Sequence, residues 1–71
     1  MAKALSPAQR RWLRALRVAP TRPEDVGSDM RTVWACQYRL WCRMVTMATG
    51  REVYEITPAG RAALEEAKGD G

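Results

Sequence analysis

From Pro7 to about Val18 the apolar positions Ala8, Trp12, Ala15 and Leu16 fall on one arc of a helical wheel, with Leu13 at its edge. Arg10, Arg14 and Arg17 fall within about 60° of one another on a different arc. The spacing predicts a first helix with one packing face and one row of guanidiniums. Ser6-Pro7-Ala8-Gln9 supplies its start: a Ser cap, Pro at the first helical position and Gln three after the cap to close a capping box. Pro20 and Pro23 break the helix, and Arg22-Pro23-Glu24-Asp25-Val26 permits one short turn of helix ended by Gly27. Ser28 or Asp29 then caps a third helix expected over about 29–43. On its wheel Met30, Val33, Trp34, Gln37, Leu40 and Trp41 form the broad arc expected to pack, with Cys36 and Tyr38 at the borders. Arg31, Thr32, Ala35, Arg39 and Arg43 lie opposite, expected to face outward.

After Arg43 the period changes from helical to alternating. Met44-Val45-Thr46-Met47-Ala48-Thr49 is rich in β-branched residues, and Glu52-Val53-Tyr54-Glu55-Ile56-Thr57 places Tyr54 and Ile56 on one side. With Thr49-Gly50-Arg51 as the turn, this predicts a β-hairpin with Arg51 at its tip. A last helix begins with Thr57 as cap and Pro58 in first position and is expected to stop at Gly69. Gly60 lies in its first turn, where the glycine costs about 1 kcal/mol relative to alanine; that cost predicts close approach to another backbone. The whole reads as one domain, 1–71, α+β and mostly α, with 1–4 and 68–71 as frayed ends.

Composition narrows what such a domain can do. The 71 residues contain no His, which removes histidine acid–base chemistry and histidine metal ligation. No nucleophile, base and orienting group can be assembled from what remains, so the expectation is no catalysis, no cofactor and no metal. Cys36 and Cys42 are too few for a zinc site and do not form a Cys-x-x-Cys motif. On a continuous helix they would stand about 120° apart, unable to bond, so reduced, buried thiols in a cytoplasmic protein are expected. No apolar run approaches the roughly 20 residues of a membrane span, and no signal-peptide pattern opens the chain.

Charge adds a direction. Twelve basic residues face eight acidic ones, a net +4, and ten of the twelve are Arg. Residues 1–51 hold ten basic against three acidic side chains, whereas 52–71 hold two against five. An anionic partner is therefore expected on the first helix, the third helix and the hairpin tip, with the last strand and closing helix turned away from it. The arginine row of the first helix reads equally well as a solvated surface.

The order helix, short helix, helix, hairpin, helix, together with specific residues, resembles a winged helix-turn-helix domain. Val53-Tyr54-Glu55-Ile56-Thr57-Pro58-Ala59-Gly60-Arg61-Ala62-Ala63-Leu64 looks like the wing-exit signature of MarR-like and PadR-like regulators, an apolar strand running into Thr-Pro-x-Gly-x-x-x-Leu. Thr32-Val33, Leu40 and Met44-Val45-Thr46 resemble their recognition helix and first wing strand, with Met44 in place of the glycine that usually ends the helix. Ser6 to Leu16 resembles their first helix. The stretch between Val18 and Val33 is shorter than in those families, and Trp34, Tyr38 and Trp41 stand where they normally carry polar residues.

The resemblance implies double-stranded DNA binding by a small transcriptional regulator, with the third helix in the major groove and the wing against the backbone. Arg31, Thr32, Ala35 and Arg39 would then face base edges, and Arg10, Arg14, Arg17, Arg43 and Arg51 would meet phosphates. Reading a palindrome would require a homodimer. The competing expectation is a protein-interaction module that uses the Trp34, Tyr38 and Trp41 stripe without DNA; these aromatics read as core, as a self-association surface, or as a stacking platform.

Overall fold

The computed structural model describes residues 5–69, a mostly helical α+β arrangement of four helices and a two-stranded antiparallel hairpin. Residues 1–4 and 70–71, expected to fray, lie outside the described residues. Helix α1 spans Pro7–Val18 and opens with the anticipated capping box: the Ser6 hydroxyl accepts from the Gln9 N–H and the Gln9 carboxamide accepts from the Ser6 N–H, both at 3.1 Å. Its packing face is rotated from the expected arc. Trp12, Leu13 and Leu16 are buried while Ala8 is exposed, so the stripe centres on Leu16 and its Leu13 border is fully buried. The larger side chains displace the small alanines because they bury more apolar area per position.

Helix α2 is the single turn Pro23–Val26, closed by Gly27 at φ 68°. Between α1 and α2, Thr21 exchanges two backbone hydrogen bonds with Tyr54, at 3.0 and 2.9 Å. This bridge was not anticipated. Two prolines so close suggested only a break, yet Thr21 lies between them with its own N–H free to donate.

Helix α3 spans Met30–Tyr38, capped by Asp29, whose carboxylate accepts from the Thr32 N–H at 2.9 Å. It ends five residues before the expected Arg43. The chain leaves through Leu40 in the left-handed region, φ 64°, with the Trp41 N–H bonded back to the Cys36 carbonyl and the Leu40 N–H to that of Gln37, each at 2.9 Å. These are the paired bonds of a Schellman ending, with leucine in the position glycine usually takes. The residue in the helix-ending position of glycine is therefore Leu40 and not Met44, which lies in strand β1.

Strands β1 (Cys42–Thr46) and β2 (Glu52–Ile56) pair with Cys42 opposite Ile56, Met44 opposite Tyr54 and Thr46 opposite Glu52. The loop between them is closed by the Met47 N–H on the Arg51 carbonyl at 2.7 Å, and Gly50 turns it at φ 88°. Arg51 thus sits at the base of the loop, after Gly50 and next to β2, and not at the tip. Helix α4 (Pro58–Gly69) continues through the glycine expected to stop it.

The start of α4 explains why α3 ends early. The Thr57 hydroxyl caps α4 by accepting from the Gly60 N–H at 3.1 Å and donates to the Leu40 carbonyl, while the Thr57 N–H donates to the Trp41 carbonyl at 3.0 Å. Gly60 lies against that same carbonyl: a Cβ there would sit 2.1 Å from the Trp41 oxygen. The close backbone approach expected from the sequence is present, and Trp41 is its partner. The turn at Leu40 directs Cys42 into the core, where it joins Leu5, Trp12, Leu13, Leu16, Val33, Cys36, Leu64 and Ala67. Trp12, fully buried, meets the Tyr54 ring edge-on with centroids 5.7 Å apart.

Two substitutions test this corner with opposite signs. Gly60→Ala forces its Cβ into the Trp41 carbonyl and is expected to lower stability by about 2 kcal/mol or more, read as a reduced urea midpoint. Leu40→Gly removes a left-handed conformation that costs an L-residue about 1–2 kcal/mol, and Leu40 is 72% exposed, so little packing is lost. The expected gain is about 0.5–1 kcal/mol in the same titration, after the entropy cost of glycine.

Candidate functional site

The sequence placed the arginines and aromatics of α3 on opposite sides, and the structure places them on the same side. Val33 and Cys36 are the buried residues of the helix. With about 100° per residue, the direction opposite them is shared by Arg31 and Tyr38, with Trp34 about 50° to one side. Trp34 is 61% exposed and Tyr38 88%; Met30 and Gln37 are exposed as well. Thr32 and Ala35, expected to face outward, are half-buried on the opposite flank. The wheel misplaced the packing arc because it weighted the large apolar residues as core, whereas the space beneath α3 is filled by a valine, a cysteine and the Cys42 thiol arriving from β1.

Two expected members of this face lie beyond the helix. Arg39, its first non-helical residue, carries its guanidinium over the half-buried Trp41 ring, 5.3 Å from the centroid. That cation–π contact holds Arg39 near the end of α3 and covers Trp41, so the third aromatic of the stripe is not free as the other two are. Arg43 lies in β1 opposite Glu55, and its Nε meets a Glu55 carboxylate oxygen at 2.5 Å. Its charge is shared with an acid of the strand expected to lie away from any polyanion.

Beside α3 the hairpin and α2 enclose an open groove of about 910 Å³ lined by Met30, Met44, Met47, Tyr54, Arg22 and Arg51. Glu24 and Glu52 also line it, and Glu24 pairs with Arg22. The second strand is therefore not segregated from the basic side: Glu52 stands next to Arg51 at the mouth of the groove. On the other flank of α3, Arg11 shares a small cavity of about 140 Å³ with Ala8, Gly27, Ser28, Asp29 and Thr32.

Arg11 was not among the expected contacts, and its wheel position explains the difference. Arg10 and Arg17 leave α1 within about 20° of each other, whereas Arg11 leaves about 100° away, on the flank that adjoins the start of α3. Neither cavity beside α3 is lined by Arg10, Arg14 or Arg17. The Arg10 Nε is buried without a hydrogen-bond partner. The sequence did contain a usable signal for Arg11: it shares its side of the wheel with Ala8 and Ala15, small residues that allow another element to come near.

Cys36 and Cys42, expected on one helix, come instead from α3 and β1, and both are free and buried. Burial pushes the Cys36 thiol up to about 12, with the neighbouring Cys42 adding to the effect and Arg39 opposing it. Burial raises Cys42 too, against a smaller opposing pull from the Trp12 indole N–H. Both are accordingly neutral thiols that pack as small apolar groups. Among the described residues no three Cys, Asp or Glu side chains converge on a point that could hold a metal ion. The Asp29 carboxyl is held below its usual range, chiefly by its hydrogen bonds to Thr32 and less by Arg31, so it is an anion committed to the helix cap.

No protein-family model, no curated protein and no solved structure matches the chain.

The thiols give a test of the buried side. Below about pH 8.5 the folded and unfolded chains both carry neutral thiols and their contribution to stability is constant; above it the unfolded chain ionises first. Stability is expected to fall as pH rises from about 9 towards the raised folded value of about 12, measured by urea titration. Thiol labelling at pH 8 should be slow in buffer and fast in urea, as ionisation and access both require opening.

Proposed function

We propose that the chain is a small winged helix-turn-helix protein that binds double-stranded DNA in the cytoplasm as a transcriptional regulator, with α3 in the major groove and the hairpin beside it. One observation carries this reading. From Arg31 to the C-cap Arg39, α3 and its end carry two exposed arginines, Arg31 on the solvent-facing side and Arg39 at the helix end over Trp41, with the exposed Gln37 amide and no carboxylate, and the one acid at its start, Asp29, is spent on the cap. Arg11 flanks this face on one side and Arg51 on the other, with the Glu24-paired Arg22 beside Arg51, which suits phosphates on either wall of a groove. The order of the elements and the Thr57–Gly60 corner support the winged-helix resemblance, which rests on this chain's own residues. A major groove about 12 Å wide admits a helix with its side chains.

A second reading is favoured by the exposure of Trp34 and Tyr38, residue types that anchor protein interfaces. It predicts little dependence on salt. No helix among the described residues is long and apolar enough to cross a membrane.

Anisotropy on a duplex of mixed sequence, repeated over a salt series, tests the proposal: affinity should fall steeply as salt rises. Arg11→Ala and Arg51→Ala should each reduce the slope of log affinity against log salt by about one, whereas Arg17→Ala should leave it unchanged. Arg31→Ala should cost about 1–3 kcal/mol on a preferred site and much less on others. Absence of binding at low salt would reject DNA as the partner.

A further inference from the structure

The outward side of α3 holds more apolar surface than phosphate binding requires. Trp34 and Tyr38 are one helical turn apart and therefore neighbours on one face, and Met30, one turn before Trp34, extends the stripe. The core does not need these rings, because Val33 and Cys36 already fill the buried side of the helix. Polar groups lie alongside them: Arg31 three residues before Trp34 and Gln37 three residues after it, both exposed.

This set of side chains is selective. In the major groove guanine offers two acceptors that suit a guanidinium, and adenine an acceptor and a donor that suit a carboxamide. Cytosine offers an amino donor that calls for a carboxylate, and thymine adds an apolar methyl group. Arg31 and Gln37 answer the first two. No free carboxylate on α3 answers the third, since Asp29 accepts from the Thr32 N–H. Trp34 and Tyr38 are left, and the groove feature they complement is the methyl group. The charge around them favours this occupant over a protein: Arg31 and Arg39 bracket the stripe, with Arg11 and Arg51 on its flanks.

We propose that Trp34 and Tyr38 are specificity residues that pack on thymine methyl groups in the major groove, giving the face a preference for thymine-bearing sites. This rests on the duplex-binding reading above. No covalent step is involved; the gain comes from removing a methyl and part of a ring from water.

The experiment has two stages. Duplexes are selected from a randomised pool on the intact protein, and the preferred duplex is then synthesised with deoxyuridine replacing thymidine at each position in turn, which removes only the methyl. The expected result is a loss of about fourfold at each contacted thymine, the equivalent of one buried methyl. In Trp34→Ala or Tyr38→Ala that discrimination should disappear at one position while the salt slope is retained; both rings are exposed, and circular dichroism checks that the variants fold. Equal affinity for the thymidine and deoxyuridine duplexes would overturn the methyl-reading role and leave duplex binding standing. Sedimentation showing a dimer in the absence of DNA that Trp34→Ala converts to monomer would assign the stripe to a second copy and overturn it as well. Failure to bind any duplex at low salt would overturn the underlying reading and this inference with it.

Discussion

The carbonyl of Trp41 accepts the Thr57 N–H, and the Gly60 Cα lies so close to it that no side chain fits between. This contact joins residues far apart in sequence at the point where α3 turns into β1, and much of the architecture depends on it. It requires the chain to leave α3 at Leu40 through a left-handed residue, which is unfavourable for leucine when considered alone. The cost is offset because the same turn brings Cys42 into the core, lets β1 pair with β2 and seats the N-terminus of α4. Thr57 binds the corner twice, through its N–H to Trp41 and its hydroxyl to Leu40, and so ties the end of the hairpin to the end of the helix.

The exposed face follows from that geometry. A helix continuing to Arg43 would need Leu40 and Trp41 as part of its buried side, and Trp34 would be drawn under with them. Stopped at Tyr38, α3 needs only Val33 and Cys36 beneath it, and Trp34 and Tyr38 remain in solvent beside Arg31. Arg39 is left at the helix end over Trp41, and Arg43 is carried onto a strand where Glu55 meets it. The cations available around α3 are thus a different set from those that a linear charge count suggests. Arg11 comes from the flank of α1 that adjoins α3, while Arg22 and Arg51 come from the groove wall between α2 and the hairpin.

Local chemistry was readable where it is decided by neighbours in sequence. The Ser6 and Gln9 capping box, the one-turn α2 ended by Gly27, the Asp29 cap, the Gly50 turn and the Thr57 cap are each set by interactions spanning a few residues. Gly60 was legible in kind, as a glycine without a local reason, but its partner was not. The arginine-bearing side of α3 was legible only in part. Arg31 was placed correctly on the outward side, whereas Thr32 and Ala35 were not, because the wheel assigns the core side by apolar content and three exposed aromatic or sulphur-bearing side chains pulled its centre off Val33 and left Cys36 at the border.

By itself the sequence determined the α+β class, the order of the elements, most of their boundaries and the excess of guanidinium on the N-terminal two thirds, since caps, turn residues and periodicity act over a few positions. Only the tertiary structure decided where α3 ends, which of its sides meets solvent and which arginines gather beside it. Those outcomes depend on the Thr57 and Gly60 contact with Trp41 and on the core volume filled by Cys42, and no property of residues 29–43 read alone contains either. Of the ten arginines behind the +4 of the chain, Arg11, Arg22, Arg31, Arg39 and Arg51 gather around one short helix, with Glu24, Glu52 and Glu55 interspersed among their neighbours.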